Sequence, residues 1–243
     1  MRQSRLYYSS PLQTGMVIDL DEDNAHYVRT VLRLKQTMPI ILFNGLGNDY
    51  LGKIADVNRK TVRVMIEEEI CRSVESNLKI YLGLGISRGD RMDFAVQKAV
   101  ELGVTSITPI ITERCVVQFQ SEKKSQRWQH WQKIVHHAAE QSGRTILPTF
   151  KSIVVFHDWI ADQNGLRLFL DPQATATLTQ LTPQNNTVTL LTGPEGGFSS
   201  REREMAVAAG FIPVRLGARI LRTETASLAA LAAVQTLWGD FVS

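Results

Sequence analysis

The chain has 243 residues, of which 44% are hydrophobic and 21% charged, as expected for one large or two small globular domains. It contains no apolar run approaching the ~18–20 residues that cross a membrane, no signal-peptide core near its start, and only isolated cysteines, so we expect a cytoplasmic protein with reduced thiols. A net charge of +3 permits a nucleic-acid partner but does not require one.

Residues 1–72 are predicted to form a small β-barrel with one helix. The segment 23–34 is helix-like, and its apolar face is predicted to hold Val28, Val31 and Leu32. The three β-type runs that follow are bounded by turn signals and lie at 38–43, 50–57 and 61–66.

Basic residues gather on this helix and near the N-terminus, although residues 1–72 hold ten Lys/Arg against nine Asp/Glu. A cluster of this kind can contact RNA phosphates, and an ordinary solvated helix face explains it equally well, so both interpretations stay open. The cluster consists of Arg2, Arg5, His26, Arg29, Arg33 and Lys35.

From residue 73 onward, strands and helices alternate. Alternation of this kind is typical of a mainly parallel sheet with helices on both faces, so we place the domain boundary between residues 72 and 73. The predicted strands are 79–85, 105–111, 166–171, 188–192 and 211–216, and the predicted helices are 90–102, 125–142 and 153–162.

Two glycine-rich loops follow the last two predicted strands. The first is Gly193-Pro-Glu-Gly-Gly197, and the second begins at Leu216-Gly217. Ser199 and Glu202 form an S-x-x-E capping box, which predicts a helix directly after the first loop. Since both loops follow the carboxyl ends of strands in a parallel sheet, we expect them to share one pocket.

The first loop is not a phosphate-binding loop of the P-loop type. No Gly-Lys-Ser/Thr follows it, and the carboxylate of Glu195 would repel a polyphosphate, so a neutral or zwitterionic ligand is favoured. The run Gly83-Leu-Gly85 is not a dinucleotide fingerprint either, because Arg88 stands where the third glycine belongs.

Polar residues crowd the second loop before an apolar helix. Arg219, Arg222, Thr223 and Glu224 are more typical of a cleft wall than of a purely structural Arg–Glu pair. No Ser-His-Asp or Cys-His arrangement with a recognisable local signature is present, so an enzyme of this sequence would depend on the reactive group of a cofactor.

The predicted helix 125–142 carries histidines and ends in polar residues. The histidines do not have the spacing of a helical metal site, so we predict no bound metal and interpret them as packed or solvated. The segment 140–144 either caps the helix or faces phosphate, and the sequence favours neither.

Taken together, these motifs resemble the RsmE family of the SPOUT class, RNA methyltransferases that use S-adenosylmethionine and act on N3 of a uridine in 16S ribosomal RNA. The pairing of Gly193-Pro-Glu-Gly-Gly197 with Leu221-Arg-Thr-Glu-Thr-Ala226 carries most of the resemblance. It covers nearly the whole chain and extends to segments 5–7, 26–34, 97–103, 113–114 and 138–144.

The resemblance implies an α/β fold in which a C-terminal SPOUT domain with a parallel sheet and a trefoil knot follows an N-terminal PUA-like β-barrel. It also implies a homodimer that acts on 16S rRNA of the 30S subunit, with the active site at the subunit interface. Two alternatives remain: another SPOUT target, namely a ribose 2′-hydroxyl or a transfer RNA guanine, and an RNA-binding or ribosome-assembly protein without catalysis.

The resemblance also implies roles for individual residues. Arg219 and Arg222 are expected to hold phosphate or a developing oxyanion, and Glu224 to act as a base or to orient an arginine. RNA contacts are expected from Arg5, His26, Arg29, Arg33, Lys35 and Arg144. The S-adenosylmethionine site is expected to comprise Leu170, Thr192, Gly193, Pro194, Glu195, Gly196, Gly197, Leu216, Gly217, Ile220, Leu221 and Thr225.

Overall fold

A computed structural model of the chain describes residues 3–115 and 121–241. The chain divides into two compact units, of which the first consists of residues 1–75 and 136–147 and the second of residues 76–135 and 148–243. The sequence predicted a boundary between residues 72 and 73 and contained no signal that assigns residues 136–147 to the N-terminal unit.

The first unit is built on a five-stranded sheet. Its strands are β1 (Arg5–Tyr7), β2 (Val17–Asp19), β3 (Pro39–Phe43), β4 (Asn48–Val57) and β5 (Val62–Cys71). Their order in the sheet is β1-β3-β4-β5-β2; the β1–β3 pair is parallel and the other pairs are antiparallel. Side chains alternate along β5, where Val62, Val64 and Ile66 are buried, as expected for a sheet with one face on the core. Two register shifts between β4 and β5 bend this pair and suit the predicted barrel.

The predicted helix of this unit exists but changes type half-way. Helix α1 (Glu22–Tyr27) is capped by the carboxylate of Asp21, and a π-helical turn at Val28–Leu32 continues it. Val28 is buried as predicted, whereas Val31 is 60% exposed, so its predicted place on the apolar face is wrong. The wider π turn rotates the following side chains away from the positions that an α-helical period gives them.

Residues 136–147 are held in the first unit by hydrogen bonds to Arg5. The guanidinium of Arg5 donates to the carbonyl oxygens of Ala139, at 2.9 Å, and Arg144, at 2.7 Å. Because these bonds join residues more than 130 positions apart, no local sequence pattern could reveal them.

The second unit is an α/β layer structure whose described strand pairs are all parallel, which confirms the predicted fold class. The strands are β6 (Lys79–Gly85), β7 (Ser106–Ile111), β8 (Thr149–Phe150), β9 (Val154–Val155), β10 (Leu166–Leu170), β11 (Thr187–Thr192) and β12 (Ile212–Val214). Their order in the sheet is β12-β10-β11-β6-β7-β8, and β9 pairs with β7. The helices are α2 (Asp90–Glu101), α3 (Ser121–Ser142), α4 (Phe156–Ile160), α5 (Ser200–Ala208) and α6 (Thr223–Trp238).

This strand order brings the ends of β10, β11 and β12 together at one edge of the sheet, since β10 pairs with both others. The predicted capping box starts α5 directly beyond β11: Ser199 Oγ accepts the N–H of Glu202 at 3.1 Å, and the Glu202 carboxylate accepts the N–H of Ser199 at 2.9 Å. The loop after β12 leads into α6, which packs against α2 and β11. The trefoil knot itself stays a prediction.

Candidate functional site

A pocket of about 430 Å³ lies at the carboxyl ends of β10, β11 and β12. Segments 192–198 and 214–223 supply most of its walls, and residues 170–172 lie between them. The two glycine-rich loops therefore share one pocket, as the sequence predicts. Its volume falls within the range of about 300–1,000 Å³ that is typical of small-molecule sites.

Ten of the twelve predicted cofactor residues line this pocket, and Gly196 and Thr225 do not. The carbonyl oxygen of Gly196 instead accepts a hydrogen bond from Arg114 at 3.1 Å, and a Cβ atom on Gly196 would lie 2.9 Å from the Cβ of Arg114. Thr225 is exposed on the first turn of α6. The ten that line the pocket are Leu170, Thr192, Gly193, Pro194, Glu195, Gly197, Leu216, Gly217, Ile220 and Leu221.

The first loop is held in place by its neighbours. The carboxylate of Glu195 accepts the backbone N–H of Arg88 at 3.0 Å and lies 3.4 Å from the guanidinium of Arg91. The backbone of Gly85 approaches so closely that an added Cβ would lie 2.6 Å from the nitrogen of Pro194. The loop is therefore shaped by contacts with β6 and the start of α2.

A second carboxylate, that of Asp171, lies in the pocket directly after β10. This residue is 8% exposed, and its Oδ2 lies 3.0 Å from Nη1 of Arg203 on α5. Its Oδ1 accepts the backbone N–H of Gln173 at 2.9 Å. Both acids in the pocket wall are thus paired with an arginine that lines the same pocket.

Three further arginines lie on the loop that joins β12 to α6. Arg215, Arg219 and Arg222 line the pocket and are exposed, and none of them forms an ion pair with any residue that the structure describes. Glu224 does not line the pocket; its Oε2 is buried and meets no hydrogen-bond donor among the described residues. The structure therefore places the two predicted catalytic arginines at the pocket and the predicted carboxylate outside its wall.

Sequence reasoning missed eight residues of the pocket. Asp171 and Pro172 lie at the end of a predicted strand of the parallel sheet, so the rule that found the two glycine-rich loops could have found them too. The others either adjoin the two loops in the sequence or, like Arg91 and Arg203, lie on helices that only the folded chain brings near. The eight are Arg91, Asp171, Pro172, Phe198, Arg203, Val214, Arg215 and Ala226.

Comparison with known proteins decides the family. The RNA methyltransferase domain family matches residues 74–235, and the RNA methyltransferase PUA domain family matches residues 20–67. The ribosomal RNA small subunit methyltransferase E of Buchnera aphidicola from Schizaphis graminum is 38% identical over 241 residues, which cover 98% of each chain. That of Rickettsia conorii is 32% identical over 243 residues, covering 98% of this chain and 97% of the relative.

This chain belongs to the ribosomal RNA small subunit methyltransferase E family. Solved structures agree with the assignment. The methyltransferase E of Neisseria gonorrhoeae, bound to S-adenosyl methionine, is 38% identical with a TM-score of 0.92, and the match covers 99% of this chain and 100% of that one. A Legionella pneumophila protein in complex with the bound cofactor SAM is 37% identical with a TM-score of 0.96 and the same coverage.

In this methyltransferase E family member, the predicted RNA-binding residues fall into two groups. His26, Arg33 and Lys35 are exposed, and Arg29, which is partly buried, donates to the carbonyl oxygens of Asn58 and Arg59. These four lie on or just after α1 and its π turn.

The other two predicted RNA-binding arginines, Arg5 and Arg144, are buried in ion pairs, and Arg2 lies outside the described residues. Arg5 forms an ion pair with Asp49 at 2.7 Å, and Arg144 forms one with Glu75 at 2.6 Å. Both arginine side chains are at most 8% exposed. Their guanidinium groups therefore bind partners within the first unit.

Residues 3–115 and 121–241 include no cluster of His, Cys, Asp and Glu side chains arranged to hold a metal ion. In the same ranges, no helix is both long and apolar enough to cross a membrane.

Proposed function

We propose that this methyltransferase transfers the methyl group of S-adenosylmethionine to N3 of a specific uridine in 16S ribosomal RNA of the small subunit. The observation that carries the proposal is that both glycine-rich loops line one pocket. The wall of this pocket also bears Arg215, Arg219 and Arg222, which have no ion-pair partners among the described residues. The relatives solved with the same cofactor support its identity.

The residues of the pocket suit this cofactor. S-adenosylmethionine carries a sulfonium, an ammonium and a carboxylate, so it is zwitterionic with an excess positive charge. The pocket offers the carboxylates of Asp171 and Glu195, apolar walls at Leu170 and Val214, and the backbone of the glycine-rich loops. When bound, the cofactor supplies an electrophilic methyl group.

The exposed arginines fit the needs of the acceptor base. Uracil N3 carries a proton at neutral pH, and negative charge develops on O2 and O4 as this proton leaves. A guanidinium group held beside these oxygens stabilises that charge, which is the role that we assign to Arg219 and Arg222. Because Glu224 lies outside the pocket wall, we assign it no part in removing the N3 proton.

The acceptor must also be reachable. N3 lies on the pairing edge of uracil, so the target uridine has to be unpaired or turned out of its stack.

We propose that the enzyme is a homodimer that acts in the cytoplasm, and that its substrate is the 30S subunit. Exposed apolar side chains of the second unit support a subunit contact, with Ile220 exposed to 86%, Phe241 to 51% and Phe94 to 45%.

The experiment is methyl transfer to purified 30S subunits from a strain that lacks the enzyme, with the product nucleoside identified by mass spectrometry. We expect 3-methyluridine. A ribose-methylated nucleoside or a methylated guanine would replace the proposal with another SPOUT target. RNA binding without S-adenosylmethionine binding would indicate a non-catalytic ribosome-assembly protein.

A test variant and a matched control variant examine the role of the pocket arginines in the same assay. Changing Arg219 and Arg222 together to Ala should lower the methylation rate by about a hundredfold or more, which is the size of effect seen when one oxyanion-stabilising donor is removed. Arg201→Ala changes an exposed arginine on α5 that does not line the pocket, and the rate should stay unchanged.

A further inference from the structure

The carboxylate of Asp171 occupies a fixed position in the pocket. Its backbone N–H donates to the carbonyl oxygen of Val214 at 3.0 Å, and its own carbonyl oxygen accepts the N–H of Ala174 at 3.1 Å. Together with the side-chain contacts to Gln173 and Arg203, these bonds hold both the backbone and the carboxylate. The group is therefore arranged before any ligand arrives.

This carboxylate also keeps unused capacity to accept hydrogen bonds. An ionised carboxylate has about four lone-pair sites, and the two bonds from Gln173 and Arg203 fill two of them. Arg203 is itself held, since its Nη1 also donates to Oε1 of Gln173 at 2.8 Å. Asp171 lines the pocket, and 9% of its side chain stays exposed, so the remaining sites lie near any ligand there that carries hydroxyl or amino donors.

The two acids of the pocket differ in how fully their charge is neutralised. Asp171 lies 3.0 Å from Arg203 and is 8% exposed, so this pair is close to neutral and suits an uncharged donor. Glu195 lies 3.4 Å from Arg91, and its side chain is 21% exposed, so it keeps more negative charge and suits a cationic group. The ribose of the cofactor carries two neighbouring uncharged hydroxyl donors, and an acid at the end of a parallel strand is a known partner of ribose hydroxyls in other α/β folds.

We propose that Asp171 accepts a hydrogen bond from a ribose hydroxyl of S-adenosylmethionine, and that Arg203 is the positioning residue that fixes the carboxylate. This inference rests on the proposed function, because it names the part of the cofactor that Asp171 binds. It adds to the pocket a side chain that recognises the cofactor and lies on neither glycine-rich loop.

The test measures binding and not activity. Calorimetry compares S-adenosylhomocysteine with its 2′-deoxy and 3′-deoxy analogues, first on the wild-type protein. We expect the loss of one of these hydroxyls to weaken binding by about ten- to a hundredfold, as is usual for a hydrogen bond to a charged group. In Asp171→Ala, the parent compound and the analogues should bind with nearly equal affinity.

This design separates a ligand contact from a structural role. If Asp171 only supported the fold of the pocket, its replacement would weaken all three compounds alike, and the wild-type ratio between them would persist. That result would overturn the proposal, as would equal binding of the three compounds to the wild-type protein. Asp171→Leu has a side chain of similar shape without an acceptor, and it provides the same comparison should the alanine variant fail to fold.

Two further variants complete the experiment. Arg203→Met should reduce the discrimination against the deoxy analogues, and Arg203→Lys should restore part of it. Asp162→Asn removes an exposed carboxylate that does not line the pocket, and it should bind all three compounds as the wild type does. If the wild type bound none of them, the proposed function itself would fail, whereas binding without discrimination overturns only the role of Asp171.

Discussion

At the scale of single residues, the surroundings of each arginine determine its role. Arg5 is buried against Asp49 and the ring of Phe43, whose centroid lies 3.6 Å from its guanidinium carbon. Arg203 pairs with an acid inside the pocket, and Arg222 extends into solvent without an ion-pair partner among the described residues. The sequence shows the same charge in all three cases. It could therefore identify candidate cations, but only burial and partners separate structural arginines from those available to a substrate.

The buried Arg5–Asp49 pair should contribute strongly to the stability of the first unit. Arg5→Ala leaves Asp49 with Arg72 as its remaining cation, at 3.1 Å, and removes the donor to two backbone carbonyl oxygens. We expect the free energy of unfolding to fall by about 3 kcal/mol, the lower end for breaking a buried pair. The free energy of unfolding is measured by denaturant titration, with circular dichroism as the signal.

An exposed ion pair provides the matched comparison. Arg63 lies 3.4 Å from Asp56 on the surface of the β4–β5 pair, with about half of its side chain in solvent. Arg63→Ala should therefore change the free energy of unfolding by less than about 1 kcal/mol. Similar losses in the Arg5 and Arg63 variants would show that burial does not determine the effect.

At the scale of elements, the spacing of apolar residues and the capping residues identify helices and strands, but no local sequence pattern shows the order of the strands in the sheet. The strand at 79–85 and the capping box at Ser199 were predictable because buried parallel strands are apolar and helix starts need side-chain acceptors. The π turn after α1 was not predictable from an α-helical period, and Val31 was misplaced as a result. The insertion of β10 between β11 and β12 depends on long-range pairing, so the sequence does not show that the end of β10 lies beside both glycine-rich loops.

The close approach of β6 to the first glycine-rich loop gives a prediction at this scale. In Gly85→Ala, the added Cβ would lie 2.6 Å from the backbone nitrogen of Pro194, so the loop has to shift. Overpacking of this kind costs about 1–3 kcal/mol, and we expect much of it to appear as weaker S-adenosylmethionine binding in calorimetry.

Gly83 on the same strand is the control for this variant. Its added Cβ would lie 2.5 Å from the ring of the buried Trp159, away from the loop. Gly83→Ala should therefore lower the unfolding temperature while the folded protein keeps its affinity for the cofactor. The contact with Pro194 would lose its assigned role if Gly85→Ala bound the cofactor as tightly as the wild type.

At the scale of the whole molecule, the positions of the exposed charged residues are more informative about function than the net charge. The net charge of +3 is modest, yet the first unit exposes His26, Arg33 and Lys35 on and just after its helix, in the region of a PUA family match. Elsewhere in this unit, the exposed Lys53 and Arg63 are paired with acids. Clustering along the sequence was enough to locate this surface, because neighbouring positions on one short helix remain neighbours in the fold.

The exposed cations Arg33 and Lys35, just after α1 and its π turn, should contribute to binding of 16S rRNA without affecting binding of the cofactor. A protein that loses two phosphate contacts binds RNA more weakly, and its dependence on salt falls by about 0.7–0.9 logarithmic units per contact. We expect this for Arg33→Ala with Lys35→Ala, measured by filter binding over a series of salt concentrations. The control is Lys53→Ala with Arg63→Ala, since these exposed cations are paired with Glu67 and Asp56. Equal losses in the two double variants would indicate general electrostatic attraction and argue against a specific RNA surface at α1.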